Sequence, residues 1–142
     1  MDDLSAGIAA EHLVCADILQ AGYLAYMTDQ FCAYDVVMEI PNHSLVRVQV
    51  KATRKPRSIP QRATHIPAYM WHVRRRGRAG ERNYGVGEYD LLALVALDIG
   101  KIAYLPPSME KKTIHIRPPG NGGSGKQFQD YTLEKAIENI ER

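Results

Sequence analysis

Cysteine is scarce in this chain. Cys15 and Cys32 are the only two, both in apolar surroundings and neither in CxxC or Cys/His zinc spacing. Neither a disulfide scaffold nor a structural zinc site is expected, and both residues read as buried thiols in a reducing compartment. Long apolar runs are missing as well. No stretch approaches the roughly 20 residues that span a bilayer. The apolar start from Ile8 to Ala21 is interrupted by Glu11, His12 and Asp17, which the core of a signal peptide would not carry. A cytoplasmic protein with no membrane contact is the expectation. Internal repeats are absent. The run GNGGSG at Gly120–Gly125 lacks the GK[ST] ending of a phosphate loop, and is read as a flexible connection. His12, His43, His65, His72 and His115 show no metal-ligand spacing and read as ordinary surface or partly buried histidines.

What is present is enough apolar material for one core. A chain of 142 residues with 45% hydrophobic residues suits a single domain over 1–142. Acids are almost absent from one segment. Between Arg47 and Arg82 there are 11 basic residues against Glu81 alone, a local charge of +10 on a chain of +2, so the remainder carries −8. A basic band on an otherwise acidic domain is the electrostatic footprint of a protein that grips phosphate backbones.

Periodicity predicts a helix from about Leu4 to Ala21, ended by Gly22. At 100° per residue, Leu4, Ile8, Cys15, Ile18 and Leu19 form a stripe with Glu11 in its middle. A carboxylate on a buried stripe is costly unless it is paired or binds a cation, so Glu11 needs a partner elsewhere. A short strand is expected at Tyr23–Met27. Tyr34–Ile40 and Leu45–Ala52 then form a hairpin across Pro41-Asn42-His43-Ser44. The ends furthest from a hairpin turn lie side by side, which brings Asp35 next to Gln49 and Lys51. For these to share a face the paired residue numbers must have an even sum. That requires an odd loop, such as Pro41–His43 or Asn42–Ser44, or else a bulge.

Further along, Thr53–Pro67 should loop over the surface, and Ala68–Arg74 should be a strand with Tyr69, Trp71 and Val73 on its core side. A flexible basic loop is expected over about 74–87. Leu91–Leu97 and Lys101–Leu105 read as a hairpin, Thr113–Arg117 as a short strand, about 118–126 as a flexible glycine-rich connection, and Thr132–Ile140 as a closing helix with Leu133, Ala136, Ile137 and Ile140 on its apolar face.

Three features converge on one chemistry: the helical carboxylate of Glu11, Asp35 at the start of a strand, and Gln49-Val50-Lys51 on the neighbouring strand. Two carboxylates and a third oxygen donor suit a hard divalent cation such as magnesium. Such a cation lowers the pKa of water and offsets charge on a reacting phosphate, and a lysine beside it can orient or deprotonate the water.

Glu11, Tyr34-Asp35-Val36-Val37 and Val48-Gln49-Val50-Lys51 together resemble the PD-(D/E)xK nuclease superfamily. The resemblance is closest to the branch of group I intron homing endonucleases and archaeal-type Holliday junction resolvases. The Gly-x-x-x-Glu start fits that branch, as do Tyr89–Ala93 and Ile102–Pro106, and the likeness covers roughly residues 5 to 106. It implies an α/β, restriction-endonuclease-like core, with an N-terminal helix packed on a mixed central β-sheet and a C-terminal helix. It implies that Asp35 is the motif aspartate, Lys51 the motif lysine, Glu11 the helical acid and Gln49 the occupant of the (D/E) position. Pro is replaced by Tyr34 before Asp35, and an amide stands where the motif has an acid.

The expected activity is that of a Mg2+-dependent endonuclease, a hydrolase of DNA phosphodiester bonds, with Mn2+ as a substitute and Asp35, Gln49 and Glu11 as metal ligands. Arg47, Arg54, Lys55, Arg57, Arg74, Arg75, Arg76 and Arg78 are the expected DNA contacts. A homodimer or a higher even-numbered oligomer is expected, since cutting both strands calls for two sites. The competing expectation is a DNA-binding module that keeps the fold without catalysis.

Overall fold

Asp2 caps the first helix, α1 (Asp3–Gln20), by accepting a hydrogen bond from the Ser5 backbone N–H at 2.8 Å, which satisfies one of the amides a helix start leaves open. Gly22 follows the helix end at φ +98°, a left-handed conformation that glycine adopts without a steric penalty. The computed structural model describes residues 1–29, 32–58, 66–77, 80–83, 88–107, 113–120 and 125–141, with backbone alone for 74–77 and 80–83.

The strands are β1 (Leu24–Met27), β2 (Val36–Glu39), β3 (Val46–Thr53), β4 (Tyr69–His72), β5 (Arg74–Gly77), β6 (Gly80–Asn83), β7 (Leu91–Ala96), β8 (Lys101–Leu105) and β9 (Thr113–Ile116), and the closing helix is α2 (Leu133–Glu141). Five of them form a mixed sheet in the order β1-β2-β3-β7-β8, in which β3 and β7 run parallel and the other neighbours antiparallel. The architecture is the expected one: α/β, an N-terminal helix on a mixed central sheet, and a C-terminal helix.

The β2–β3 register pairs Val36 with Val48, Val37 with Arg47 and Met38 with Val46. These sums are even, as a shared face for Asp35, Gln49 and Lys51 requires. The turn is centred on Asn42, which takes φ +63°, a conformation asparagine tolerates better than most side chains, and the His43 N–H donates to the Ile40 carbonyl at 3.1 Å.

Strand β7 reads LLALVA and is buried at every position, as a parallel-paired strand covered on both faces should be. Its side chains alternate between two cores. Leu91, Ala93 and Val95 join Ala10, Val14, Ile18, Val48, Leu133 and Ile137 on the helical side. Leu92, Leu94 and Ala96 join Tyr69, Trp71, Ile114 and Ile116 on the other, where β4 and β9 pair as a separate two-stranded sheet. Each fully buried leucine contributes about 1.5–3 kcal/mol. Tyr69 and Trp71 are core residues, as expected: the Trp71 indole N–H donates to the Val95 carbonyl at 3.1 Å and the Tyr69 hydroxyl donates to Asp98 at 2.9 Å.

Several expectations are corrected. The buried row of α1 is Ala6, Ala10, Val14 and Ile18, whereas Leu4, Ile8 and Leu19 are 74%, 45% and 46% exposed. Small side chains at Ala6 and Ala10 let the helix sit close to the sheet; of the expected stripe, Ile18 is buried and Cys15 half-buried. Cys32 is exposed and Cys15 half-buried. Over the segment read as a loop, residues 74–83, β5 and β6 form an antiparallel hairpin, with Gly77 opposite Gly80; 78, 79 and 84–87 lie outside the described residues. Of the glycine-rich connection, 121–124 also lie outside them, and the flanks are tied by the Arg117 N–H donating to the Lys126 carbonyl at 2.9 Å. Among the described residues no helix is long and apolar enough to cross a membrane.

Candidate functional site

Strand β3 carries the site because it is held from both sides. Its antiparallel partner β2 delivers Asp35 to one flank, and its parallel partner β7 closes the other. Alternation along β3 sends Val46, Val48 and Val50 into the helical core and Arg47, Gln49 and Lys51 to the opposite face.

Asp35 is clipped to β3 twice. Its backbone N–H donates to the Val48 carbonyl at 2.8 Å, and its Oδ2 accepts from the Val50 N–H at 2.8 Å. The even-sum pairing ends at Val36 opposite Val48; Asp35 leaves the ladder there, its N–H taking the Val48 carbonyl and its carboxylate standing in for a backbone acceptor at the Val50 N–H. Burial pushes the Asp35 carboxyl up from its ordinary range, and the Val50 N–H and the Lys51 ammonium oppose that rise. Lys51 is therefore close enough to Asp35 to stabilise its charge.

Glu11 lies half-buried between the core row of α1 and its exposed apolar row. Its pKa is pushed up to about 7, first by burial and then by the negative charge of Asp35. A buried carboxyl whose ionisation is opposed by a neighbouring carboxylate marks a place where positive charge is in deficit. Perturbed groups of this kind mark functional sites more often than structural ones.

Gln49 is 6% exposed, and its amide nitrogen donates to the Val50 carbonyl at 3.3 Å. Among the described residues no group of three or more His, Cys, Asp or Glu gathers at any point. The oxygen donors that converge are thus two carboxylates, Glu11 and Asp35, with the Gln49 amide on the adjoining strand. That set is all oxygen, which suits a hard cation and not zinc or copper.

The basic residues divide by surroundings. The Arg47 guanidinium forms a forked pair with Asp90, Nε to Oδ2 at 3.0 Å and Nη2 to Oδ1 at 3.0 Å, and its backbone N–H donates to the same carboxylate at 2.8 Å. It also stands 5.8 Å over the Tyr34 ring. The pair holds the Asp90 carboxyl below its ordinary range. Arg54, Lys55 and Arg57 are exposed beyond β3. Arg54 reaches the Asp3 carboxylate at 2.6 Å, and Arg57 bridges to Ala68 through the backbone. Arg74, Arg75 and Arg76 form β5, and Arg78 lies outside the described residues.

Sequence reasoning did not identify Asp90 as the partner of Arg47, nor Asp3 as that of Arg54. Both are long-range pairs, and the only signal for Asp90 was its place at the start of a buried strand. The even-sum expectation holds for the paired residues from Val36 to Val46, and Asp35 meets β3 through the Val48 carbonyl and the Val50 N–H.

No family model matches the chain, and no curated protein matches it by sequence. Its fold is similar to that of a solved bacterial homing endonuclease, I-Ssp6803I, with a TM-score of 0.73 over 97% of this chain and 93% of that one, at 16% identity.

Proposed function

We propose that this chain, which shares the fold of a bacterial homing endonuclease, is a magnesium-dependent endonuclease of the PD-(D/E)xK type that hydrolyses phosphodiester bonds in double-stranded or branched DNA. The observation that carries the reading is the pairing of Glu11 and Asp35, each pushed up by burial, beside Lys51 and the exposed bases Arg54, Lys55 and Arg57. Asp35 and Glu11 would hold the cation with the oxygen of Gln49, whose nitrogen is turned to Val50. Magnesium there, or manganese in its stead, supplies Lewis-acid stabilisation of the charge that gathers on the phosphate oxygens.

The chain's own groups do the rest. The Val50 N–H fixes the Asp35 carboxylate in one orientation, so its free oxygen faces the site without rotamer searching. Lys51 brings a positive charge to the same place, able to orient the attacking water or stabilise the phosphorane. The bases beyond β3, with those of β5 and Arg78, carry the duplex backbone, so affinity falls steeply with salt. One site per chain cuts one strand, and a two-fold dimer or higher even oligomer in the cytoplasm serves both.

The test is cleavage of plasmid, four-way-junction and flap DNA with magnesium by wild type, Asp35→Ala and Lys51→Ala. Wild type cuts and both variants lose at least about a hundredfold of rate, the range expected for loss of an electrostatic or acid–base group. Equal activity in all three refutes the assignment. A second reading, a DNA-binding module without catalysis, is favoured by Gln49, which brings no charge where the motif has an acid. Isothermal calorimetry separates the two: the module reading requires that no magnesium or manganese binding depend on Asp35.

A further inference from the structure

A cleft of about 430 Å³ opens beside Lys51, between the first turns of α1 and the exit of β3. Its walls include Asp3 and Gly7 from the helix and Lys51, Arg54, Lys55 and Arg57 from β3 and the segment after it.

Two features of that wall have no use in the protein's own packing. Gly7 sits inside α1, where glycine is a poorer helix former than alanine. A Cβ added there meets nothing within 4 Å, and Gly7 is not among the positive-φ glycines. Neither a close neighbour nor the backbone conformation demands the missing side chain. What its absence leaves is a low stretch of helix wall, one turn before Glu11 and on the same side of the helix. The second feature is the pair between Asp3 and Arg54, at 2.6 Å with the aspartate side chain 99% exposed. Such a pair contributes little to stability. It does place an anionic oxygen against an arginine at the mouth of a basic cleft.

We propose that this cleft seats the sugar-phosphate backbone of the DNA strand next to the scissile bond. Gly7 keeps the helix wall low enough for the strand to lie against α1, and Asp3 occupies the position of a phosphate until the strand displaces it from Arg54. The inference rests on the nuclease reading and adds to it a strand track and two residues that tune it, neither of which touches the reacting atoms.

The experiment compares wild type, Gly7→Ala, Gly7→Leu and Asp3→Asn for binding of a fluorescein-labelled duplex and a four-way junction in chelator, for cleavage in magnesium, and for melting temperature. Both Gly7 variants melt at or above wild type because each is a better helix former. Their affinity and cleavage fall with side-chain size, by about tenfold or more for leucine. Asp3→Asn binds about two- to fivefold more tightly at low salt, and the difference disappears in high salt. Wild-type binding and cleavage by a folded Gly7→Leu overturn the track. If Gly7→Leu melts below wild type, Gly7→Ala and Asp3→Asn decide, and wild-type affinity in both overturns it. The two failures are distinguishable: a wild-type protein that binds no DNA removes the nuclease reading itself, whereas tight binding that ignores all three substitutions removes only the track.

Discussion

Glu11→Gln in metal-free buffer should stabilise the protein at alkaline pH and leave it unchanged in acid. The folded state raises the Glu11 pKa from 4.5 to about 7 through burial and the neighbouring Asp35 charge. Between those values the folded protein holds a proton that the unfolded chain has released, so stability falls as pH rises through the window. Above about 7 the penalty is fully present, and below 4.5 it is gone. The full shift would correspond to about 3 kcal/mol. Because Glu11 is only half-buried, solvent screening reduces that to about 1–2 kcal/mol. Glutamine keeps the shape and removes the charge. At pH 8 the variant should therefore melt roughly 3–6 °C above wild type, and the two curves should merge near pH 4.5. Circular dichroism melts from pH 4.5 to 8.5 in chelator measure this directly. Replacing chelator with magnesium at ten times its dissociation constant should raise wild type by about 1.4 kcal/mol by mass action and leave Glu11→Gln far less affected. A gap between the proteins that is constant with pH, or a variant less stable at pH 8, would refute the account of Glu11 as an uncompensated buried charge.

Three further outcomes follow from the same geometry. Asp35→Ala leaves the Val50 N–H without its acceptor, at a cost of about 1–3 kcal/mol in urea unfolding; it also lets the Glu11 pKa fall, so the slope of stability against pH flattens. Asp90→Asn removes the charge that forks onto Arg47. Since the Asp90 pKa is lowered in the fold, wild type should exceed the variant by about 1 kcal/mol above the ordinary carboxylate range and lose that margin as pH drops below it. Tyr104→Phe deletes the hydroxyl that donates to Asp17 at 2.6 Å and should lower stability by about 1–3 kcal/mol, a hydrogen bond to a charged group in a buried setting, with the folded spectrum retained.

The parts of this fold that sequence could yield are those governed by local periodicity. Two-residue alternation marks β3 and β4, turn residues between apolar runs mark β2 and the β7–β8 hairpin, and the even-sum parity of the β2–β3 hairpin is the one found. The parallel pairing of β3 with β7 was not legible, because it joins strands about forty residues apart whose union is decided by burial on both faces. The face of α1 was misjudged for a related reason. The helix has apolar residues on two rows, and the choice between Leu4-Ile8 and Ala6-Ala10 depends on how near the sheet approaches, which no single sequence states. Residues 74–83 read as a loop because glycine is a weak strand former, yet Gly77 and Gly80 stand opposite each other in a hairpin. The site acids were visible as residue types, while their mutual influence arises only when α1 is docked.

The Arg47–Asp90 fork can also be seen as a register key. Asp90 precedes β7 and Arg47 lies near the start of β3; the aspartate carboxylate grips both the side chain and the backbone N–H of Arg47, and the Asp90 N–H returns a bond to the Arg47 carbonyl at 2.8 Å. If β3 slipped by one residue along β7, Lys51 and Gln49 would swing into the helical core and Val50 would take their side. Four residues from the lysine, the pair thereby holds Gln49 and Lys51 on the face opposite the helical core.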